Sequence, residues 1–483
     1  MLTSISGKLQ ALSAKSLHII CLLFFIITLW NTFSFINEVH GFRIKFMIII
    51  FCLLAGMIIL TFFLANRYLN NKIYIISLFL IAFGVRIGWV IAVDTPVISD
   101  FYLMYNSALA AAKGDFSFSD TPYFQSWVYQ LGYTMYQALI IKLFGEGTFY
   151  IKLINVLYSV GTTILVYKIA ARIFHETAGR IAGLIYGLFI PSIVMTSVLT
   201  NQHLATFLFY LAFYLLITYY SRRFIWVFVG VLLSLGDIIR PLGSLILLAV
   251  AIYLFITEVL GENRKAAINA GKKFIGIIVV YFLIHSAVSQ LFIAADVTKF
   301  PLSNRDPQWK FVLGFNHETM GRYSDSDAAY VGQFPIGNER KKAEMKLINE
   351  RMADKQQLLV LFREKLKIMW GHNDDSITWG AGHFQDLTSL SRLYKFERLM
   401  YASIIIYLIV SLFYMLKDKS IGKQNLLFVL LILGYAAVHL LIEVQTRYRY
   451  FILPSFVIIQ SYGVYSIYMI FNKLLRREKL NNG

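Results

Sequence analysis

Charge is what this 483-residue chain has least of. Asp, Glu, Lys and Arg make up 15% of it, where a soluble globular protein carries about 25%. Spread over the whole length, that deficit leaves too few polar side chains to coat a water-facing surface, which excludes a soluble domain. Cysteine is nearly absent as well. Cys21 and Cys52 both lie inside apolar runs and offer neither a disulfide framework nor metal-ligand spacing. The chain has no G-x-x-x-x-G-K-[ST] loop and no H-E-x-x-H, which excludes a P-loop nucleotide motor and that class of zinc hydrolase. No small-residue cleavage site follows the first apolar stretch, so a retained span is expected there rather than a cleaved signal.

What is present is apolar. Hydrophobic residues make up 58% of the chain, and its mean hydropathy is +0.63. Windows of about 20 apolar residues, the length that crosses a bilayer, recur at 17–37, 43–65, 73–93, 149–171, 179–198, 202–220, 224–240, 242–258, 274–294, 398–416, 425–442 and 450–471. They predict an all-α polytopic membrane protein of about twelve transmembrane helices. The net charge of +18 does not form a basic face suited to nucleic acid. It falls in short clusters between apolar runs, the pattern of membrane topology. With the N-terminus cytoplasmic, inner segments hold about nineteen Lys and Arg, Arg67 and Lys419 among them. Short outer segments hold seven, among them Arg43. Both termini are then cytoplasmic, and two large segments, 94–148 and 295–397, lie outside. In the first, helices at the membrane surface are expected after Asp100 and from Val128 to Phe144. In the second, Asn338–Trp370 is expected to be one helix, with Leu358, Leu359, Phe362, Leu366 and Met369 as an apolar stripe against the bilayer or the bundle.

Polar groups near membrane depth cost about 2.5–3.5 kcal/mol each on insertion scales, so they ask for a reason. Under this topology they collect at the outer ends of the spans: Asp94 and Asp100, then Asn201 to His203, then Asp237 and Arg240, then Glu443, Gln445, Arg447 and Arg449. Acids beside several guanidiniums at one membrane face suit a lipid-linked phosphate meeting a hydroxyl. Competing roles stand beside that one. Asp100 fits a helix N-cap. Arg240 fits an ion pair with Asp237 three residues earlier. Arg447 and Arg449 fit headgroup anchors, and His203 fits a packed polar tip.

The order of these residues resembles a known family. A span is followed by Ser99-Asp100, Tyr105, Ala108 and Gly114, then an aromatic stretch through Trp127 and Tyr133, then Lys142-Leu-Phe-Gly145. Later come Arg240-Pro241 at a tight turn, Gly314-Phe-Asn316, Gly321-Arg-Tyr323, Lys367-x-x-Trp370, and Arg447-Tyr448 before Pro454. The pattern is similar to the GT-C membrane glycosyltransferases, in the bacterial branch related to protein mannosyltransferases and aminoarabinose transferases, and covers about 73–483. Residues 1–72 would be an extra N-terminal pair, 73–294 the core with its first outer loop, 295–397 an extracytoplasmic subdomain and 398–483 the last helices. The resemblance implies an inverting transfer of sugar from a polyprenyl-phosphate carrier to a hydroxyl of a glycan, lipid or protein acceptor. It implies a bacterial plasma-membrane location, and no nucleic acid. Asp100 takes the place of the catalytic base, with Asp94 in reserve. Arg240, Arg447 and Arg449 would hold the phosphate, and Tyr105, Trp127, Tyr129, His203 and Glu443 would contact substrate. The family often pairs the acid as Asp-Asp or Asp-Glu. Phe101 stands at the second place here, which counts against a divalent-metal role without excluding one, and no other cofactor is implied. A glycan polymerase or ligase using Arg322 and His317, or a lipid-carrier flippase, remains the other reading.

Overall fold

In the computed structural model, which describes residues 2–40, 44–65, 69–261, 263–418 and 422–481, the chain is all-helical. Among these residues the extended pairing is limited to an isolated bridge between Trp127 and Asn304. Arg43, Arg67 and Lys419 of the charge count lie outside the described residues. Helix is what the solvent demands, because a bilayer offers no partner to an open backbone N–H or C=O.

All twelve expected segments are helical where described, and among the described residues nine helices are long and apolar enough to cross a membrane. The remaining three differ from simple spans. Residues 179–198 form two helices, Glu176–Gly187 and Ile190–Ser197, bent by 60°. Pro191 opens the second piece and has no N–H to continue the first. The carbonyls freed at the break are met by Arg86, which is fully buried. Its guanidinium donates to Gly187 O at 2.8 Å, Tyr186 O at 3.4 Å and Ser192 Oγ at 2.8 Å. The other two, Ile225–Ile239 and Gly243–Val259, are short apolar helices. At the centre of the bundle stands the last span, Thr446–Arg477, 83% of whose apolar window is buried, against 17% for Ile44–Leu64 and Arg264–Ala294 at the periphery.

One end of the bundle carries the two long segments. The helices Ser99–Ala112 and Gln130–Phe144 pack together there, and the second presses onto Ile225–Ile239 through Gly132. A Cβ on Gly132 would lie 2.1 Å from Ile238 O, so only glycine permits the approach. The expected 338–370 helix is two helices, Asn338–Ala353 and Lys355–Gly371. Asp354 breaks it by capping the second, accepting from the amides of Gln356 and Gln357. The buried face of that helix is Leu361, Lys365, Ile368 and Met369, while Leu359 stays 70% exposed. Lys365 is nearly fully buried, and its ammonium donates to Gly314 O, Leu440 O and Ile442 O at 2.7–2.8 Å. Burial pushes this lysine down to about 7, against the pull of Glu443. The short helix Trp309–Gly314 is thereby seated on the end of Leu426–Leu441.

Behind that helix, Glu344 is buried with neither carboxyl oxygen matched to a donor. It faces Asp306, which Arg340 bridges at 3.2 Å. Burial first, then Asp306, push Glu344 up to about 8, with Arg340 opposing. The folded protein therefore keeps a proton that the unfolded chain releases near 4.5. This contribution is full at acid pH and is lost as pH rises through about 8. Melting of the purified protein is expected at a lower temperature at pH 8.5 than at pH 6, with a flatter dependence in Glu344→Gln. An equal slope in that variant would assign the effect to another group.

Candidate active site

A cavity of about 530 Å3 opens at the loop-bearing end of the bundle. Its apolar part is lined by Leu242, Leu245, Leu248, Val438 and Ile442, and its polar part by Asp100, Tyr129, Arg240, Lys310, Arg447 and Tyr448. Asp100 stands in the first turn of Ser99–Ala112, where the helix dipole favours an anion. The preceding Ser99 has φ +55°, left-handed backbone that a non-glycine residue rarely adopts and that accumulates at working sites. The Asp100 carboxylate makes no hydrogen bond to the described residues and faces the cavity. Desolvation raises its affinity for a proton, Arg447 and Lys310 lower it, and Glu443 raises it again.

Arg447 lies on the turn Thr446–Tyr448, with its guanidinium over Trp379 at 4.5 Å, Phe101 at 5.2 Å and Tyr448 at 5.7 Å. Its Nε donates to Gln445 Oε1 at 2.6 Å, which leaves the Nη groups to face the cavity. Arg240, at the end of Ile225–Ile239, donates to Asn201 Oδ1 at 3.0 Å and lies over the Tyr448 ring at 5.3 Å. Asp237 does not pair with it. That carboxylate accepts from Gly243 N at 2.6 Å and from Tyr281 OH at 2.7 Å, closing the turn between the two short helices. Lys310 forms an ion pair with buried Glu443. Burial opposes the lysine charge, but Tyr448, Glu443 and Tyr129 outweigh it, and Glu443 is held below the usual carboxylate range by Lys310 despite its own burial. Tyr129 is pushed up to about 12 by burial and stays a phenol. A second cavity, of about 830 Å3, lies against the first and shares Asp100 and Arg447 with it.

The structure thus brings together Asp100, Arg240, Arg447 and Tyr129, with Glu443 behind Lys310. It places the other expected site residues elsewhere. Asp94 is fully exposed, 3.8 Å from Lys152. Tyr105 accepts from Gly147 N at 3.1 Å. Trp127 packs its ring edge-on against Tyr123 at 5.1 Å. His203 is buried between Tyr450 OH at 2.7 Å and Met195 O at 2.9 Å. Arg449 is buried completely, 3.2 Å from Asp374, and donates to Thr446 O and His372 O. Lys310 was not among the expected site residues, and nothing in its local sequence sets it apart from the other lysines of that loop.

Residues 131–288 match the family model of the dolichyl-phosphate-mannose-protein mannosyltransferases. Over that stretch the chain resembles the GT-C-type membrane glycosyltransferases. The matched stretch includes Arg240 but neither Asp100 nor Arg447. No curated protein sequence matches the chain. Several solved structures are similar to it, among them the following two. One is the oligosaccharyltransferase of Archaeoglobus fulgidus tethered by a disulfide bond to an acceptor peptide containing the NVT sequon, at 13% identity and a TM-score of 0.48. The other is the oligosaccharyltransferase AglB from the same organism with an inhibitory peptide and a dolichol-phosphate, at 14% identity and a TM-score of 0.47. Each similarity covers 85% of this chain, which spans about half (51%) of each of those chains. As for a metal, among the described residues no three His, Cys, Asp or Glu side chains stand close enough together to hold an ion. With Phe101 beside Asp100, the donor set does not fit a divalent-metal cage.

Proposed function

We propose that this protein takes a sugar from a polyprenyl-phosphate carrier and joins it to an acceptor hydroxyl at the loop-bearing end, on the outer face of a bacterial plasma membrane. The observation that carries this reading is the position of Asp100 and Arg447 on the boundary between two cavities of unlike character. The first combines an aliphatic wall, suited to a prenyl chain, with the cations Arg240, Lys310 and Arg447, suited to its phosphate. The second is polar and has room for the acceptor. The excess of Lys and Arg in the other loops supports cytoplasmic termini. The 1–72 helices add to a core spanning 73–294, which the 295–397 subdomain covers and the 398–483 helices complete.

Asp100 takes the proton of the acceptor hydroxyl as that oxygen attacks the anomeric carbon. The bond from this carbon to the phosphate oxygen breaks, its electron pair leaves with the phosphate, and the single displacement inverts the centre. The leaving group departs as an anion and needs charge rather than a proton. The Arg240 and Arg447 forks match a phosphate in two directions, and Lys310 adds a point charge when it turns from Glu443. The charged groups that line the two cavities lie together at one end of the bundle, which favours transfer over flipping.

The test is release of label from a radiolabelled polyprenyl-phosphate sugar by purified protein. Wild type is expected to transfer it. Arg240→Ala and Lys310→Ala are each expected to lose turnover equivalent to about 2–4 kcal/mol, as for one donor to developing charge. Wild-type rates in both variants would remove their phosphate role. Absence of any release by wild type would sink the transferase reading in favour of a flippase.

A further inference from the structure

The two cavities that meet at Asp100 differ in what they are made of, and the difference bears on the acceptor. Five aliphatic side chains line the first. Among the described residues lining the second, Val444 is the aliphatic one. Its working surface is Glu318, Arg322, Tyr323, Asp375, Trp379 and Gln445. Tyr323 is 53% exposed, its ring meeting Trp309 edge-on at 6.4 Å and lining the cavity. The cavity is too poor in aliphatic groups to hold a lipid tail. Extended peptides are captured by adding a strand to a sheet edge, and helical peptides by an apolar groove. The described residues contain no strand, and this cavity has no apolar groove. Aromatic faces beside carboxylates, a guanidinium and an amide suit a polyhydroxy ligand. The rings cover its C–H faces, and the polar groups take its hydroxyls in both donor and acceptor directions. Three carboxylates, of Asp100, Glu318 and Asp375, face two guanidiniums, of Arg322 and Arg447. That balance disfavours a polyanion. We infer that the second cavity is an acceptor site for a neutral saccharide chain, held by Tyr323 and Glu318 at the mouth and presented to Asp100 at the base. This inference rests on the transferase reading above.

The test measures binding in the absence of any sugar donor, so its outcome is separable from that of the transfer assay. Full-length protein in detergent is titrated by microscale thermophoresis with maltohexaose, chitohexaose and laminarihexaose as neutral probes. A Ser/Thr-rich peptide and a poly(glycerol phosphate) are titrated beside them. Saturable binding of at least one oligosaccharide is expected, weakened tenfold or more by Tyr323→Ala and by Glu318→Gln, with Tyr323→Phe close to wild type as the control for folding. Three outcomes would overturn the inference. These are no saturable binding of any of the three sugars, sugar binding indifferent to both variants, or preferential binding of the peptide or the polyanion that the same variants abolish. Loss of saccharide binding leaves label release from the carrier standing, and failure of that release leaves saccharide binding intact.

Discussion

Asp100→Asn is expected to lower sugar transfer by about a hundred- to ten-thousand-fold, the range that a positioned general base contributes. The substitution keeps the size of the side chain and removes its ability to take a proton. Because Asp100 makes no hydrogen bond to the described residues, folding has little reason to change. The pH profile offers a second readout. Desolvation raises Asp100 above the ordinary carboxylate value of 3.8, with Arg447 and Lys310 pulling it back. A base works only when ionised, so transfer should fall as pH drops, and at a higher pH than for a solvated aspartate. The acid limb should vanish from the residual rate of the variant. Initial rates of label transfer between pH 4 and 8 check both. Full activity in Asp100→Asn would move the base elsewhere, and Asp94 is poorly placed to take over, being exposed beside Lys152.

The second large effect is on stability. Arg449→Ala is expected to cost about 3–5 kcal/mol, the range for removing one partner of a buried ion pair. Arg449 and Asp374 are both buried, and the variant leaves the Asp374 carboxylate uncompensated. The same pair also holds the neighbourhood of Arg447. Asp375 and Thr446 exchange two bonds, Asp375 N to Thr446 Oγ1 at 2.8 Å and Thr446 N to Asp375 Oδ2 at 3.2 Å. Denaturation in detergent gives the magnitude. The double variant Arg449→Ala/Asp374→Ala should lose less than the two single losses summed, since the orphaned charge is gone. Additive losses would mean that the two side chains do not act as a pair.

The helical spans were legible because bilayer thickness imposes one length and one polarity on each of them. The break at 188–189 was not, because Pro191 alone does not reveal that Arg86, a hundred residues earlier, stands ready to meet the freed carbonyls. Asp354 carried a visible capping signal inside an apparently continuous helix, and the apolar stripe beyond it masked that signal. At the candidate site the sequence placed Asp100, Arg240, Glu443 and Arg447 at one end of the bundle, and the structure holds them around one pair of cavities. The sequence did not separate Arg447 from Arg449, two residues apart. On the turn Thr446–Tyr448 a step of two turns one guanidinium into a cavity and the other into a buried pair. Lys310 was invisible for the opposite reason. Its partner Glu443 lies 133 residues away, and no local pattern announces a contact of that separation.

The ammonium of Lys365 joins three stretches of chain at one point: its own helix, the end of Trp309–Gly314 and the end of Leu426–Leu441. Cap and bundle are therefore not two objects with a hinge between them. Opening one exposes acceptors that the other must supply with a donor, so local loosening at this seam propagates in both directions. An excised 295–397 fragment would keep the lysine and lose two of the three carbonyls it binds. The register between Lys310 and Glu443 is accordingly inherited from the whole molecule and is not a property of either piece.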